Sequence, residues 1–292
     1  MRLVLGCSPG SASDQVARLI VPALSSALGR DIHIELEPGS NGADAACDVA
    51  TARADGETLF MATLGTHALA PHLEENLPYD PLHHFAPVAL VATAPLLLTC
   101  HPSLPISSVS DLVEVARNEP RTVTYGTSAI GGASHLAAEL FQHMTGIEMR
   151  HARFDHTDRL YEDLEAGRIA VSFNNMMSML PRCKSKALRA LGVTGARRST
   201  AAEEIPTIAE SGLPGYEVSN WLGIVAPRRT PAPIVGELNT AVGKALANAT
   251  IVETFRAAGV TPCGGSPQAF FDFITREIGR WGPIVARFHD VR

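Results

Sequence analysis

The stretch "RLVLGCSPGSASDQVARLI", residues 2–20, passes from a short apolar run through a Pro/Gly/Ser turn into a helix-like segment. Val16, Leu19, Ile20 and Ala23 recur at helical spacing, which predicts a helix from Ser13 to Leu28 behind the strand "RLVL". "IHIEL" reads as the next strand. After "EPGSNG", a small-residue helix from Ala43 to Ala52 leads to the strand "TLFMAT". Strand, helix, strand, helix, strand is the pattern of a parallel sheet with helical crossovers, so the fold class is α/β.

The pattern then breaks. "NLPYDPLHHFAP" is Pro-rich and poor in helix formers, and "VALVATAPLLLTCHP" reads as one or two strands leaving the first sheet. A second α/β series follows, with helices expected at 109–117, 133–144, 158–165 and 177–183. Its strands are "TVTYG", "MRHARF", "IAVSFN" and "LRALGVT". Helices over 232–247, 251–257 and 267–287 close the chain. The expected organisation is two lobes, residues 1–100 with 226–292 and residues 101–225. The chain crosses between them near Leu98–Pro102 and Val218–Pro227. No internal repeat is visible.

The bulk properties of the 292 residues exclude several classes. A net charge of −6 with only 18% charged residues leaves no basic stripe for nucleic acid, and lysine occurs only at Lys184, Lys186 and Lys244. Apolar runs fall short of the about 20 residues a membrane-crossing helix needs. Met1 stands directly before the first strand, so the reading expects a chain without an export signal. Cys7, Cys47, Cys100, Cys183 and Cys263 are odd in number, scattered and without a C-x-x-C pair, which points to free thiols rather than disulfides or zinc. No metal and no cofactor is expected.

"GCSPG" at residues 6–10 spells G-x-S-x-G and raises the question of a hydrolase nucleophile at Ser8. In such an elbow the amide after the serine forms half of the oxyanion hole. That residue here is Pro9, which has no N–H. One alternative is a Pro-Gly turn capped by Ser11 or Ser13, with Asp14 in the first helical turn. Another is an anion site, because a glycine-rich turn into a helix leaves N–H groups and a positive dipole end exposed. "TYGTSAIGGASHLAAEL" repeats the device with Thr127, Ser128, Gly131, Gly132 and Ser134. Two such helix starts, one in each expected lobe, suit a receptor that clamps a small anion, and the chain is not expected to be an enzyme.

These residues resemble the solute-binding receptors of tripartite tricarboxylate transporters, the Bug-type receptors. The likeness covers nearly the whole chain in order. It includes the opening segment, "EPGSNGADAACDVATARADGETLFMAT", "LPYDPLHHFAPVALVA", "YGTSAIGGASHLAAELF", "LRALGVTGARRS", "IPTIAESGLPGYEVSNWLGIVAP" and "EIGRWGPIV". The resemblance implies two Rossmann-like α/β lobes of the type II periplasmic-binding-protein fold, with a ligand cleft between them. It implies a small carboxylate ligand, membrane transporter subunits as partners, no nucleic acid, no direct membrane insertion, a monomer and a periplasmic location. Carried onto this sequence, the ligand residues are Ser8, Gly10, Ser11 and Ser13 in lobe one and Thr127, Ser128, Gly132 and Ser134 in lobe two. Gly65, Thr66 and His67 of "GTHAL" border the cleft.

The chain departs from the family where Phe154, Asp155 and His156 stand in place of Tyr-Lys-Gly, and Phe173, Asn174 and Asn175 in place of Phe-Asp-Asn. Asp155, His156, Asn174 and Asn175 then read a neutral or cationic far end of a monocarboxylate, with Arg153 or Arg159 available to pair a second carboxylate. Alternatively Asp155 and His156 are solvated loop residues. His83 and His84 beside Asp80 form either a metal site or a solvated loop, His135 caps or packs, and Trp221 is core or cleft wall. The alternative functions are an intracellular, cytoplasmic carboxylate sensor of the same fold and a serine hydrolase using Ser8.

Overall fold

The computed structural model describes residues 1–286, so Arg287, the expected end of the last helix, lies outside the described residues together with the tail of the 226–292 segment. The chain divides into two compact units. Unit 1 holds Met1–Thr93, Trp221–Phe255 and the described residues from Thr261, and unit 2 holds Ala94–Asn220 with Arg256–Val260.

Unit 1 begins with β1 (Arg2–Leu5), α1 (Ala12–Leu28), β2 (His33–Leu36), α2 (Ala43–Thr51) and β3 (Thr58–Thr63). β1 pairs in parallel with β2 on one side and β3 on the other, as the βαβαβ pattern requires. A π-helical turn at Gly65–Leu69 runs into the short α3 (Ala70–Leu73). β4 (Phe85–Cys100) is one continuous strand of 16 residues that runs on into unit 2. Pro95, which cannot donate to a ladder, stands between its pairing through Leu90–Thr93 and its pairing from Leu96 onward.

Unit 2 adds α4 (Val109–Asn118), β5 (Thr124–Thr127), α5 (Ala133–Thr145), β6 (Arg150–Arg153), α6 (Thr157–Glu165), β7 (Val171–Asn175), α7 (Met176–Lys184) and β8 (Arg189–Val193). Its strand order is β4-β7-β5-β6, with β8 also on β4; β5 is parallel to β6 and β7, while β4 runs antiparallel to β7 and β8. Leu97, Leu160, Leu164, Ile169, Met176 and Met179 form one of its buried clusters.

β9 (Ser219–Pro227) brings the chain back to unit 1, followed by α8 (Ala232–Leu246), α9 (Ala249–Ala257), β10 (Thr261–Gly264) and α10 (Pro267–Val285). β9 lies antiparallel beside β3 and next to β4, and β10 lies antiparallel on β4. Neither β9 nor β10 is marked in the sequence by alternation. β9 reads as a nearly continuous apolar run after a Pro/Gly-rich loop, because it is a central strand buried over Trp221–Pro227. Leu3–Leu5 and Phe60–Ala62 are nearly inaccessible, and α1 packs on α8. Among the described residues no helix is long and apolar enough to cross a membrane.

Candidate functional site

In unit 1 the carboxyl ends of the parallel strands β1, β2 and β3 carry three loops. Ligands of open α/β sheets bind at this end of the strands. The loops converge tightly. A Cβ added at Gly6 would stand 2.4 Å from Gly42 Cα, and one at Gly42 would stand 2.8 Å from Gly6 O and 3.0 Å from Thr66 Cγ2. Backbone meets backbone, so these positions admit no side chain.

The first loop is tied to its own helix. Ser11 is the N-cap of α1, its Oγ accepting the Asp14 N–H at 3.4 Å. The Gly10 N–H donates to Asp14 Oδ2 at 2.9 Å, Arg18 Nε donates to Asp14 Oδ1 at 2.7 Å, and Gln15 Nε2 donates to the Gly10 carbonyl at 2.7 Å. Asp14 is 4% exposed, so a carboxylate of the chain itself occupies this helix start. Ser8 is half-buried, its carbonyl accepting from the Ser11 N–H, and Ser13 is buried. Burial pushes the Cys7 thiol up to about 11, which keeps it protonated near neutrality.

The third loop contains Gly65, Thr66 and His67. Thr66 exchanges hydrogen bonds with Thr63, its N–H donating to Thr63 Oγ1 and its own Oγ1 accepting the Thr63 N–H, both at 3.1 Å. Tyr79 donates its phenol to the Thr66 carbonyl at 2.7 Å. His67 does not reach the surface. Its exposure is 0%, and its ring lies 4.8 Å from Phe85, 5.8 Å from Phe60 and 6.1 Å from Tyr79. Nδ1 lies 3.0 Å from Thr66 Oγ1, and Nε2 has no hydrogen-bond partner. Desolvation pulls its pKa down to about 3, so the ring is neutral.

Unit 2 presents the carboxyl ends of β5, β6 and β7. Thr127, at the end of β5, is 1% exposed, and its Oγ1 lies 2.7 Å from His151 Nε2. Ser128 Oγ accepts from Thr157 Oγ1 at 3.3 Å, joining the loop after β5 to the start of α6. Gly131 adopts φ 73°, a left-handed conformation natural to glycine, and its N–H donates to His135 Nδ1 at 3.2 Å. Gly132 is the N-cap of α5 and supplies no side-chain cap; Ser134 is half-buried in the first turn.

The four far-end residues divide. Asp155 and His156 are exposed at the start of α6, where His156 makes no capping bond. Asn174 and Asn175 are buried. Asn174 donates to Ser172 Oγ, while Asn175 caps α7 by accepting the Ser178 N–H at 3.0 Å and reaches Tyr161 OH at 3.4 Å. Arg159 is turned along its own helix, toward Glu162 at 3.2 Å and Asp163 at 3.3 Å.

Other residues find plain places. Trp221 is core of unit 1, edge-on to Phe270 and Phe273. His83 closes a turn on Asp80; against the desolvation that would raise it, hydrogen bonds from His83 and Leu82 hold the Asp80 carboxyl below its usual range. Among the described residues no three His, Cys, Asp or Glu side chains converge as a metal site would require.

Sequence reading passed over Gly6, Gly42, Tyr79 and the tie from Gly131 to His135. The Ser11/Asp14 spacing was the one local signal for an internally closed loop. Ser40 and Asn41, both left-handed beside Gly42, were foreshadowed only by the Asn-Gly pair.

The sequence pattern described as "Tripartite tricarboxylate transporter family receptor" matches residues 16–289. BugT of Bordetella pertussis is 31% identical over 286 residues, 98% of this chain and 88% of that protein. Among solved structures, R. palustris Rpa4515 with adipate superposes with a TM-score of 0.94 at 38% identity, covering 99% of this chain and 96% of that one. MatC from Rhodopseudomonas palustris with bound malate gives 0.91 at 29% identity, covering 98% and 99%. The periplasmic binding protein BugD shares the fold, with a TM-score of 0.93 at 24% identity over 98% of this chain and 96% of that one.

Proposed function

We propose, from the premise that this chain belongs to the tripartite tricarboxylate transporter receptor family, that it is a periplasmic receptor which captures a small carboxylate and delivers it to membrane transporter subunits. The observation that carries the reading is the likeness to the adipate-bound protein, which runs over 99% of the chain and so includes both helix-start loops. Ser8, Ser11 and Ser13 from unit 1 and Thr127, Ser128, Gly132 and Ser134 from unit 2 supply the hydroxyls and amides. Gly10, its amide already given to Asp14, shapes the first loop, and Gly65, Thr66 and His67 support it from below. Asp155 and His156 stand exposed where they can read the far end, while Asn174 and Asn175, bound internally, hold the floor beneath.

A thermal-shift series with acetate, malate, adipate and citrate tests this. A carboxylate present at about a hundred times its dissociation constant stabilises the folded chain by about 2.7 kcal/mol, a rise of several degrees in midpoint. A chain whose midpoint none of them moves is not a receptor for these acids. Ester hydrolysis that vanished in Ser8→Ala would overturn the receptor reading in favour of a nucleophile. Adipate against its monoamide separates a site that wants two carboxylates from one that wants a neutral far end.

A further inference from the structure

We propose that His135 is a positioning residue for the ligand loop of unit 2: by accepting the Gly131 N–H at Nδ1, its imidazole fixes the turn from Ser128 to Gly132. The inference rests on the function proposed above and names the residue that holds one half of that site in shape.

The turn is also closed by the Gly132 N–H on the Ala129 carbonyl at 3.3 Å and by Thr157 Oγ1 on Ser128 Oγ at 3.3 Å, but neither bond engages Gly131. α5 starts on Gly132, which has no side chain to cap the helix. Gly131 sits in the left-handed region, and its amide is tied to His135, 2% exposed, one turn into the helix. Only an unprotonated ring nitrogen accepts a hydrogen bond, so Nδ1 must be bare. In the neutral ring the proton then sits on Nε2, 3.9 Å from Glu139 Oε1.

A second imidazole works on the other end of the same loop. His151 from β6 stacks on His135 at 4.8 Å and on Tyr125 of β5 at 4.8 Å, and its Nε2 meets Thr127 Oγ1. Tyr125 donates to Glu139, closing the cluster. The charged and titratable groups facing His135 are therefore Glu139 from its own helix, Tyr125 from β5 and His151 from β6, with Arg153 acting on His151. Desolvation, and then the His151 charge, bring His135 down to about 4, so it stays a neutral acceptor across the physiological range.

The test pairs His135→Leu with His135→Asn, whose Oδ1 can replace Nδ1 as acceptor. Gly131 amide exchange is followed by NMR and adipate affinity by titration calorimetry. In His135→Leu the Gly131 amide should exchange about tenfold faster and adipate should bind about tenfold more weakly, the worth of one such hydrogen bond. His135→Asn should keep both within about threefold. Toward pH 4 the wild type should lose affinity more steeply than His135→Asn, since adipate's own titration is common to both. If His135→Leu does not fold, the paired pH profiles decide, and identical profiles overturn the proposal. Unchanged Gly131 exchange in His135→Leu overturns it, as does loosened exchange with unchanged affinity. A wild-type chain that binds neither adipate, malate nor citrate breaks the receptor reading instead and removes this inference with it.

Discussion

The two helix starts close by the same device with opposite electrostatics. In unit 1 the Gly10 amide is held by Asp14, and in unit 2 the Gly131 amide is held by His135, each from four residues further along. Asp14 is a buried carboxylate shared with Arg18, whereas His135 is a buried imidazole kept neutral. A helix N-terminus carries about half a positive charge. In unit 1 that charge already faces an internal anion, while in unit 2 it faces none from this tie. Two loops that look alike in sequence therefore differ in what they offer an incoming carboxylate: hydrogen bonds from the first, hydrogen bonds and field from the second.

The strongest way to break the comparison is through the glycines that seat the loops. Gly6→Ala drives a Cβ into Gly42 backbone at 2.4 Å, while Gly126→Ala in unit 2 meets side-chain atoms, the tips of Leu160 and Ile169 at 2.4 and 2.5 Å and the Phe154 ring at 3.2 Å. Backbone cannot step aside as side-chain ends can, so Gly6→Ala should cost about 3 kcal/mol or fail to fold, and Gly126→Ala about half of that. Denaturant midpoints measure both, and equal losses would show that the loops are seated alike.

Acid sharpens it next. His67 of unit 1 is lowered to about 3 and His135 of unit 2 to about 4, both by desolvation first. The unfolded chain takes up these protons below about pH 6.5, where the folded chain does not. The stability is therefore complete above about pH 6.5 and is lost as pH falls toward those lower values, about 1.4 kcal/mol per histidine for each pH unit. Unfolding free energies from urea titrations at about pH 7 and pH 5 should differ by about 4 kcal/mol for the two together, and His67→Phe should remove half of the fall. An unfolding free energy that stays put on acidification would show that neither ring is held neutral.

The smallest effect lies in the caps. α1 is capped by the Ser11 hydroxyl and α5 by no side chain at all. Ser11→Ala should cost about 1 kcal/mol, and Gly132→Ser should change stability by no more than a few tenths. Matching losses in thermal unfolding would erase the distinction.

How much of this was legible follows from which forces are local. The βαβαβ opening, the Ser11 cap and the helix at 133 announce themselves through spacing and capping residues a few positions apart. β9 and β10 do not, because their partners β3 and β4 are remote in sequence. His67 looked like a cleft residue, yet Phe60, Tyr79 and Phe85, drawn from separate elements, enclose it. Asn175 looked like a reader of ligand and is spent on a helix cap. The two helix-start loops were visible as glycine and hydroxyl clusters, but which amides remain open depends on Asp14 and His135 folding back, and no residue count reveals that.

The place of β9 has a consequence for how the chain comes into being. Phe60 of β3 pairs with Val225, whereas every strand of the unit 2 sheet lies between Leu96 and Val193. On a chain emerging from the ribosome amino end first, the later-made unit can complete its sheet while the earlier-made one still waits with an open edge on β3. Such an edge is a site for wrong pairing. The late arrival of "NWLGIVAP" is then a rate-setting event for the nascent protein, and truncation before it would leave unit 1, not unit 2, to aggregate.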